Sequence, residues 1–239
     1  SLGFFDANGT SFPFKQGIFL STWSSNNTPG PYVENQRGGG SKNWGGDVDL
    51  DAILGISSIN ASVIEFDFVP LTDYVSFNYL FASNEYQSYF PCDFSDGFAF
   101  LIKEKGSAAP YKNLAVLPGT NIPVSSKIVH PLINPVQNGS ATFEGCPASY
   151  ENYFNGYNTS NSPINYAGQT KVLTAETKVT AGKTYHIKLV VADDREEVFD
   201  SAVFIEAGSF SSKIDLGPDR LLATNNPVCF GESFLLNTN

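Results

Sequence analysis

The sequence predicts an all-β domain, a jelly-roll-like (lectin-like) β-sandwich with long loops. Apolar and polar residues alternate over several short runs, as half-buried strands require. The 239 residues include 20 Phe, 11 Tyr, 21 Gly and 14 Pro, a mixture of strand formers and turn formers. No long stretch repeats with helical period.

In chain order, residues 22–48 (TWSSNNTPGPYVENQRGGGSKNWGGDV) read as loop, followed by DLDAILG as one short helical turn. In SVIEFDFV, Ile64, Phe66 and Phe68 share one face and Glu65 and Asp67 the other. In YVSFNYLF, Val75, Phe77, Tyr79 and Phe81 alternate with Ser76 and Asn78. GFAFLI is apolar on both faces, which predicts a strand covered on both sides. Residues 119–169, rich in Asn, Pro, Gly and Tyr, read mostly as loop, and a loop of that length implies a function or a cover. TYHIKLVV sets Tyr185, Ile187, Leu189 and Val191 against His186 and Lys188, and SAVFIEA sets Val203 and Ile205 against Phe204 and Glu206. After about residue 212 the character changes. The expected division is a sandwich over 1–212, then a linker and the start of a truncated Ig-like module over 213–239.

With 14 Lys and Arg against 24 Asp and Glu, the formal charge is −10. A nucleic-acid partner needs a basic face, so this balance argues against one, and it disfavours anionic membrane surfaces. It permits cationic partners, calcium among them. No apolar run approaches the ~18 residues of a membrane helix, so no membrane insertion is expected. Lacking an initial Met and a signal peptide, the chain reads as a mature form or an excised piece.

Cys92, Cys146 and Cys229 show no CxxC spacing, which argues against zinc. Cys92 and Cys146 lie in aromatic, Pro-containing loop sequence and are expected to form a disulfide, in keeping with an oxidising compartment. The alternative is two buried free thiols.

Acidic residues gather in GGDVDLD (Asp47, Asp49), SNEY (Glu85), PCDFSD (Asp96) and ADDREEVFD (Asp193, Asp200). Calcium takes six to eight oxygens from carboxylates, carbonyls and water. The expected ligand set is Asp47 or Asp49 with Glu85, Asp96, Asp193 and Asp200, the last two brought together by closure of a hairpin. The competing reading makes Asp47 or Asp49 a helix cap. Exposed aromatics offer flat faces to sugars, so Tyr86, Tyr89, Phe90 and Trp44, with Asp96, are the candidate ligand-binding residues. The competing reading packs these rings over the sandwich ends. Among enzymes, the sequence holds only His130 and His186, and HExxH, GxSxG and P-loop patterns are missing. Glu65 and Asp67 are similar to the start of the E-x-D-x-x-E of jelly-roll glucanases, but Pro70 stands at the acid/base position. The expectation is therefore a non-enzyme.

The segments GIFLSTW (17–23), IEFDFVP (64–70), FASNEY (81–86), DGFAFLI (96–102), NLAVLPGT (113–120), YAGQTKVLTA (166–175) and VVADDREEVFDSAVF (190–204) follow one another as in the choice-of-anchor L family, which the chain resembles. Two positions depart from the family pattern: Asn84 stands for the first Glu of EEY, and Ala167 for the Asp of YDGYT. SDGFAFLI is also similar to one strand of L-type lectins. The tail resembles the Ig-like repeats that follow such domains in gliding-motility and type IX-secreted surface proteins. The resemblance implies an extracellular bacterial surface domain within a larger chain, alongside further domains of that chain. The function expected is binding or adhesion, with a glycan or surface polymer as partner. The alternatives are a ligand-free spacer or a polysaccharide hydrolase.

Overall fold

The computed structural model describes residues 1–34, 38–41 and 43–211. The proposed Ig-like start and Cys229 lie outside the described residues. In chain order the elements are β1 (Leu2–Asp6), β2 (Gln16–Ser21), α1 (Val48–Leu54), β3 (Ser58–Phe68), β4 (Tyr74–Ser83) and α2 (Phe90–Asp93). They continue with β5 (Gly97–Glu104), β6 (Lys112–Asn113), β7 (Val136–Asn138), β8 (Ala141–Phe143) and β9 (Phe154–Tyr157). The last are β10 (Gly168–Thr170), β11 (Leu173–Lys178), β12 (Tyr185–Asp194) and β13 (Ser201–Glu206).

Two antiparallel sheets face each other. The larger has the order β1-β2-β13-β4-β10-β9, with β11 also on β4, and the smaller has the order β3-β12-β5-β6. β10 and β11 run along the same edge of β4, at Ala82–Ser83 and Tyr74–Tyr79 respectively, as one strand broken between them. The stretch expected to be mostly loop carries the hairpin β7–β8, strand β9 and two isolated bridges, His130–Ser149 and Ile133–Cys146.

The alternation read from the sequence builds the core. Val75, Phe77, Tyr79 and Phe81 of β4 meet Phe98, Phe100 and Ile102 of β5 and Ile187, Leu189 and Val191 of β12. Burial of each large side chain contributes roughly 1.5–3 kcal/mol. Both outer faces are covered as well. Leu80 and Ala82 of β4 pack with Phe12, Phe14, Phe19, Tyr166 and Phe204 on one side. Ala99 and Leu101 of β5 pack beneath Leu50 of α1 on the other, which is why GFAFLI has no polar face. Gly97 makes room for the end of that helix and the residues after it, since a Cβ there would lie 3.1 Å from Leu54 Cδ1 and 2.4 Å from Ile56 Cδ1.

One core residue carries a polar liability. Tyr79 is fully buried between the rings of Phe98 and Phe100, and its hydroxyl has no partner among the described residues. A buried unpaired hydroxyl costs about 1–3 kcal/mol. Tyr79→Phe is therefore expected to stabilise the domain by about 1 kcal/mol. A denaturant melt checks this; an unchanged or lower midpoint would mean the hydroxyl is satisfied in solution.

Candidate functional site

The strands deliver carboxylates to one end of the sandwich. Glu85 follows β4, Asp96 precedes β5, Asp193 lies near the end of β12 and Asp200 immediately precedes β13. Each is buried, with exposure of 2% for Glu85, 4% for Asp96 and 0% for Asp193 and Asp200. The expected hairpin is not what joins the last two. β12 belongs to the smaller sheet and β13 to the larger, so residues 195–200 cross between the sheets. The crossing holds Arg195 and Phe199 in left-handed backbone at φ +68° and +67°. Such conformations are uncommon outside glycine and persist where the surroundings enforce them.

Each carboxylate is partly satisfied. Glu85 Oε2 accepts from the Asp96 amide at 2.9 Å and from Ser126 Oγ at 2.7 Å. Asp96 Oδ2 accepts from Ser201 Oγ at 2.5 Å. Asp200 Oδ1 accepts from Thr22 Oγ1 at 3.0 Å, and its Oδ2 from the Gly39 amide at 2.8 Å. Asp193 Oδ2 accepts from Asn60 Nδ2 at 2.8 Å, while its Oδ1 is buried with no partner among the described residues. Burial raises the pKa of all four, reinforced by neighbouring carboxylates at Glu85, Asp96 and Asp193: Asp200 to about 6, Glu85 to about 7, Asp193 to about 8, and Asp96 well above its ordinary value. The four do not form a finished cage. Among the described residues, no three His, Cys, Asp or Glu side chains converge as a metal-binding set.

The glycine run in the sequence explains part of the closure. A Cβ on Gly38 would fall 1.4 Å from Asp200 Oδ2, and one on Gly40 would fall 2.0 Å from Asn60 Nδ2. Gly38 also sits at φ +68°. The chain is thus pressed onto the carboxylate site at a place where no side chain fits. The sequence reading passed over this run, and over the buried Asn60, Thr22, Ser126 and Ser201 that donate into the cluster. GGG before a Ser was the available signal. The buried polar donors had none, because Ser, Thr and Asn are ordinary in loops.

Asp47 and Asp49 are engaged elsewhere. Asp47 Oδ1 accepts from the amides of Asp49 and Leu50 and so caps α1, while its Oδ2 lies 3.0 Å from Lys188 Nζ. Asp49 Oδ2 lies 2.5 Å from the same ammonium. Their expected place among the calcium ligands is therefore corrected: a largely buried Lys compensates them. Glu65 and Asp67 on β3 likewise face His186, at 3.6 and 2.9 Å, and Asp67 also meets Lys105.

The aromatic candidates divide. Tyr86 is a core residue, 2% exposed, with its hydroxyl donating to the Val129 carbonyl at 2.9 Å. Trp44 lies along β3, its Nε1 donating to the Ala61 carbonyl, away from the other rings. Tyr86 departs from the expected exposed role because it is packed in the core, while Trp44 is half-buried against β3. Tyr89 and Phe90 do reach the surface layer. Tyr89 stacks on Phe143 at 3.9 Å and 8°, and Phe90 leans on Phe199 at 4.6 Å. The disulfide Cys92–Cys146 is present. The ring stack lies three residues before each cysteine, so stack and disulfide form two rungs between the same segments. Adjoining grooves of about 610 and 560 Å³ flank Phe90 and Phe199.

No helix among the described residues is long and apolar enough to cross a membrane. No curated protein and no solved structure matches the chain. The family model of the choice-of-anchor L domain matches residues 1–211, which takes in every described residue. Within it, the two departures from the family pattern touch: Asn84 Oδ1 accepts from the Ala167 amide at 3.1 Å. The match over 1–211, together with the sandwich and its ordered motifs, makes this chain a member of the choice-of-anchor L domain family, whose members point to the surface of the cell and to larger parent proteins.

Proposed function

We propose that the domain is an extracellular binding and adhesion module in which calcium orders the acidic connection and the loop end holds a glycan or surface polymer. One observation supports the reading: four buried carboxylates, one oxygen unpartnered among the described residues, stand on the same connecting segments as the aromatic loop end. Phe199 precedes Asp200, and Phe94 lies two residues before Asp96. Buried like charges must be neutralised by protons or a cation. A hard cation suits carboxylate oxygens and completes its shell with carbonyls and water, so an unfinished cage supports calcium better than zinc. A fixed crossing segment would in turn lower the ordering cost of binding at the rings it carries.

Calcium titrated calorimetrically into chelator-stripped domain is expected to give saturable uptake of about one ion and a higher melting temperature, since a ligand of the native state stabilises it. Asp193→Asn is expected to abolish the uptake. No heat and no thermal shift would remove calcium from the reading. Affinity electrophoresis through gels of different polysaccharides tests the rest: retardation by at least one is expected, and retardation by none would leave a spacer.

A further inference from the structure

The two grooves beside the Phe90–Phe199 pair share that pair as a common wall, along with Ser88. One groove is bounded by Tyr32 and Tyr157, the other by Tyr89 and Phe94. Tyr157 is 53% exposed and Phe94 46%, so ring faces are open to a ligand on both sides of the ridge. Amide side chains edge both: Gln87 and Asn158 in the first, Gln137 in the second. Among the described residues, the charged ones lining them are all of one sign. Glu34 lies in the first groove and Glu196 in the second, and among the described residues neither groove contains a Lys or Arg. Burial holds the phenols of Tyr32 and Tyr157 above their usual range, so they stay neutral near pH 7.

We infer that the two grooves form one site for a glycan chain that is neutral or carries amino groups, laid across the Phe90–Phe199 ridge with at least one sugar ring in each groove. The inference rests on the glycan reading above and narrows it. Flat rings flanked by amides suit a polyhydroxylated ring, which has apolar faces and hydrogen-bonding edges. A carboxylate in each groove repels uronic-acid or sulfated chains and attracts ammonium groups. Two compartments divided by a ridge demand a chain longer than one sugar.

The test is calorimetry of the calcium-saturated domain with a glucosamine tetramer, its N-acetylated counterpart, a uronic-acid tetramer, the single sugars and an oligolysine of matched length. Both the amine-bearing and the acetylated tetramers are expected to bind, and the single sugars to bind at least about tenfold more weakly. Tyr157→Ala and Phe94→Ala, each at a half-exposed ring of a different groove, are each expected to weaken tetramer binding by about fivefold to tenfold. Glu34→Gln is expected to weaken the amine-bearing tetramer about twofold to fivefold and to leave the acetylated one unchanged. Equal or tighter binding of the uronic-acid tetramer, lost in the ring variants, would overturn the charge selection while the glycan reading survives. Binding untouched by either ring variant would move the site elsewhere. Oligolysine binding tighter than the glucosamine tetramer would overturn the glycan in favour of a cationic peptide, and silence from every sugar would overturn both this inference and the reading beneath it.

Discussion

In chelating buffer the melting temperature should fall as pH rises from about 5 to about 8, and saturating calcium should remove most of that fall. The sign follows from the direction of the shifts. Burial raises Asp200 to about 6, Glu85 to about 7 and Asp193 to about 8, and raises Asp96 well above its ordinary value. In the unfolded chain these groups titrate near pH 4. Between the two values the folded chain holds protons that the unfolded chain has released, so stability falls with rising pH and levels off above the folded pKa. Asp193 and Asp96 also feel Asp200, and Glu196 acts on both Glu85 and Asp193 in the same direction. The donors Thr22, Asn60, Ser126 and Ser201 oppose it, as does the Ser1 amine facing Asp200. Asp6 and Asp67, lowered by their hydrogen bonds, act oppositely and only below about pH 4, outside this window. All four groups act in the same direction, so their losses add to one fall across the window. Differential scanning calorimetry at four pH values with chelator and with calcium measures it. A flat profile in chelator would show that the carboxylates are solvated. Asp193→Asn should make the chelator profile shallower, since the amide cannot ionise while Glu85, Asp96 and Asp200 still titrate.

Removing the disulfide should produce the second large effect. Cys92 and Cys146 are 54 residues apart, and closing a loop of that size in the unfolded chain is worth about 4 kcal/mol on chain-entropy grounds. The double variant Cys92→Ser with Cys146→Ser is expected to melt about 10 °C lower. The stack of Tyr89 on Phe143 should loosen with it, since the second rung alone cannot fix the register of the two segments. Near-ultraviolet circular dichroism below the melt would report that loss, while the far-ultraviolet strand signal stays. A drop of less than about 3 °C would mean that the stack and the Ile133–Cys146 bridge already hold the segments together.

Much of the fold was legible because a strand buried on one face must alternate. β3, β4, β12 and β13 follow the runs read from the sequence, and the doubly apolar GFAFLI does sit between two covers. The site was legible in part. Glu85, Asp96, Asp193 and Asp200 stand at one end of the sandwich, though no three converge as a metal-binding set among the described residues; the last two are neighbours because the chain changes sheets, and alternation along a strand says nothing about which sheet the next strand joins. Asp47 and Asp49 misled because D-x-D spacing looks the same whether it turns oxygens toward an ion or caps a helix. The decisive partner, Lys188, lies 139 residues from Asp49. Tyr86 and Trp44 misled because exposure depends on which segments lie over a ring, and that is a property of the whole chain.

Much of each broad face of the sandwich is built over, one by the Phe12, Phe14 and Tyr166 layer and the other in part by α1. Evolution is therefore left with the tips as ground on which to diversify. Residues 88–91, 93–95 and 196–198 are open to rewriting from one relative to the next while Cys92 and the covered walls stay constant, giving a repertoire of specificities on one body. A selection experiment that randomised only those tips would ask how far such a repertoire extends.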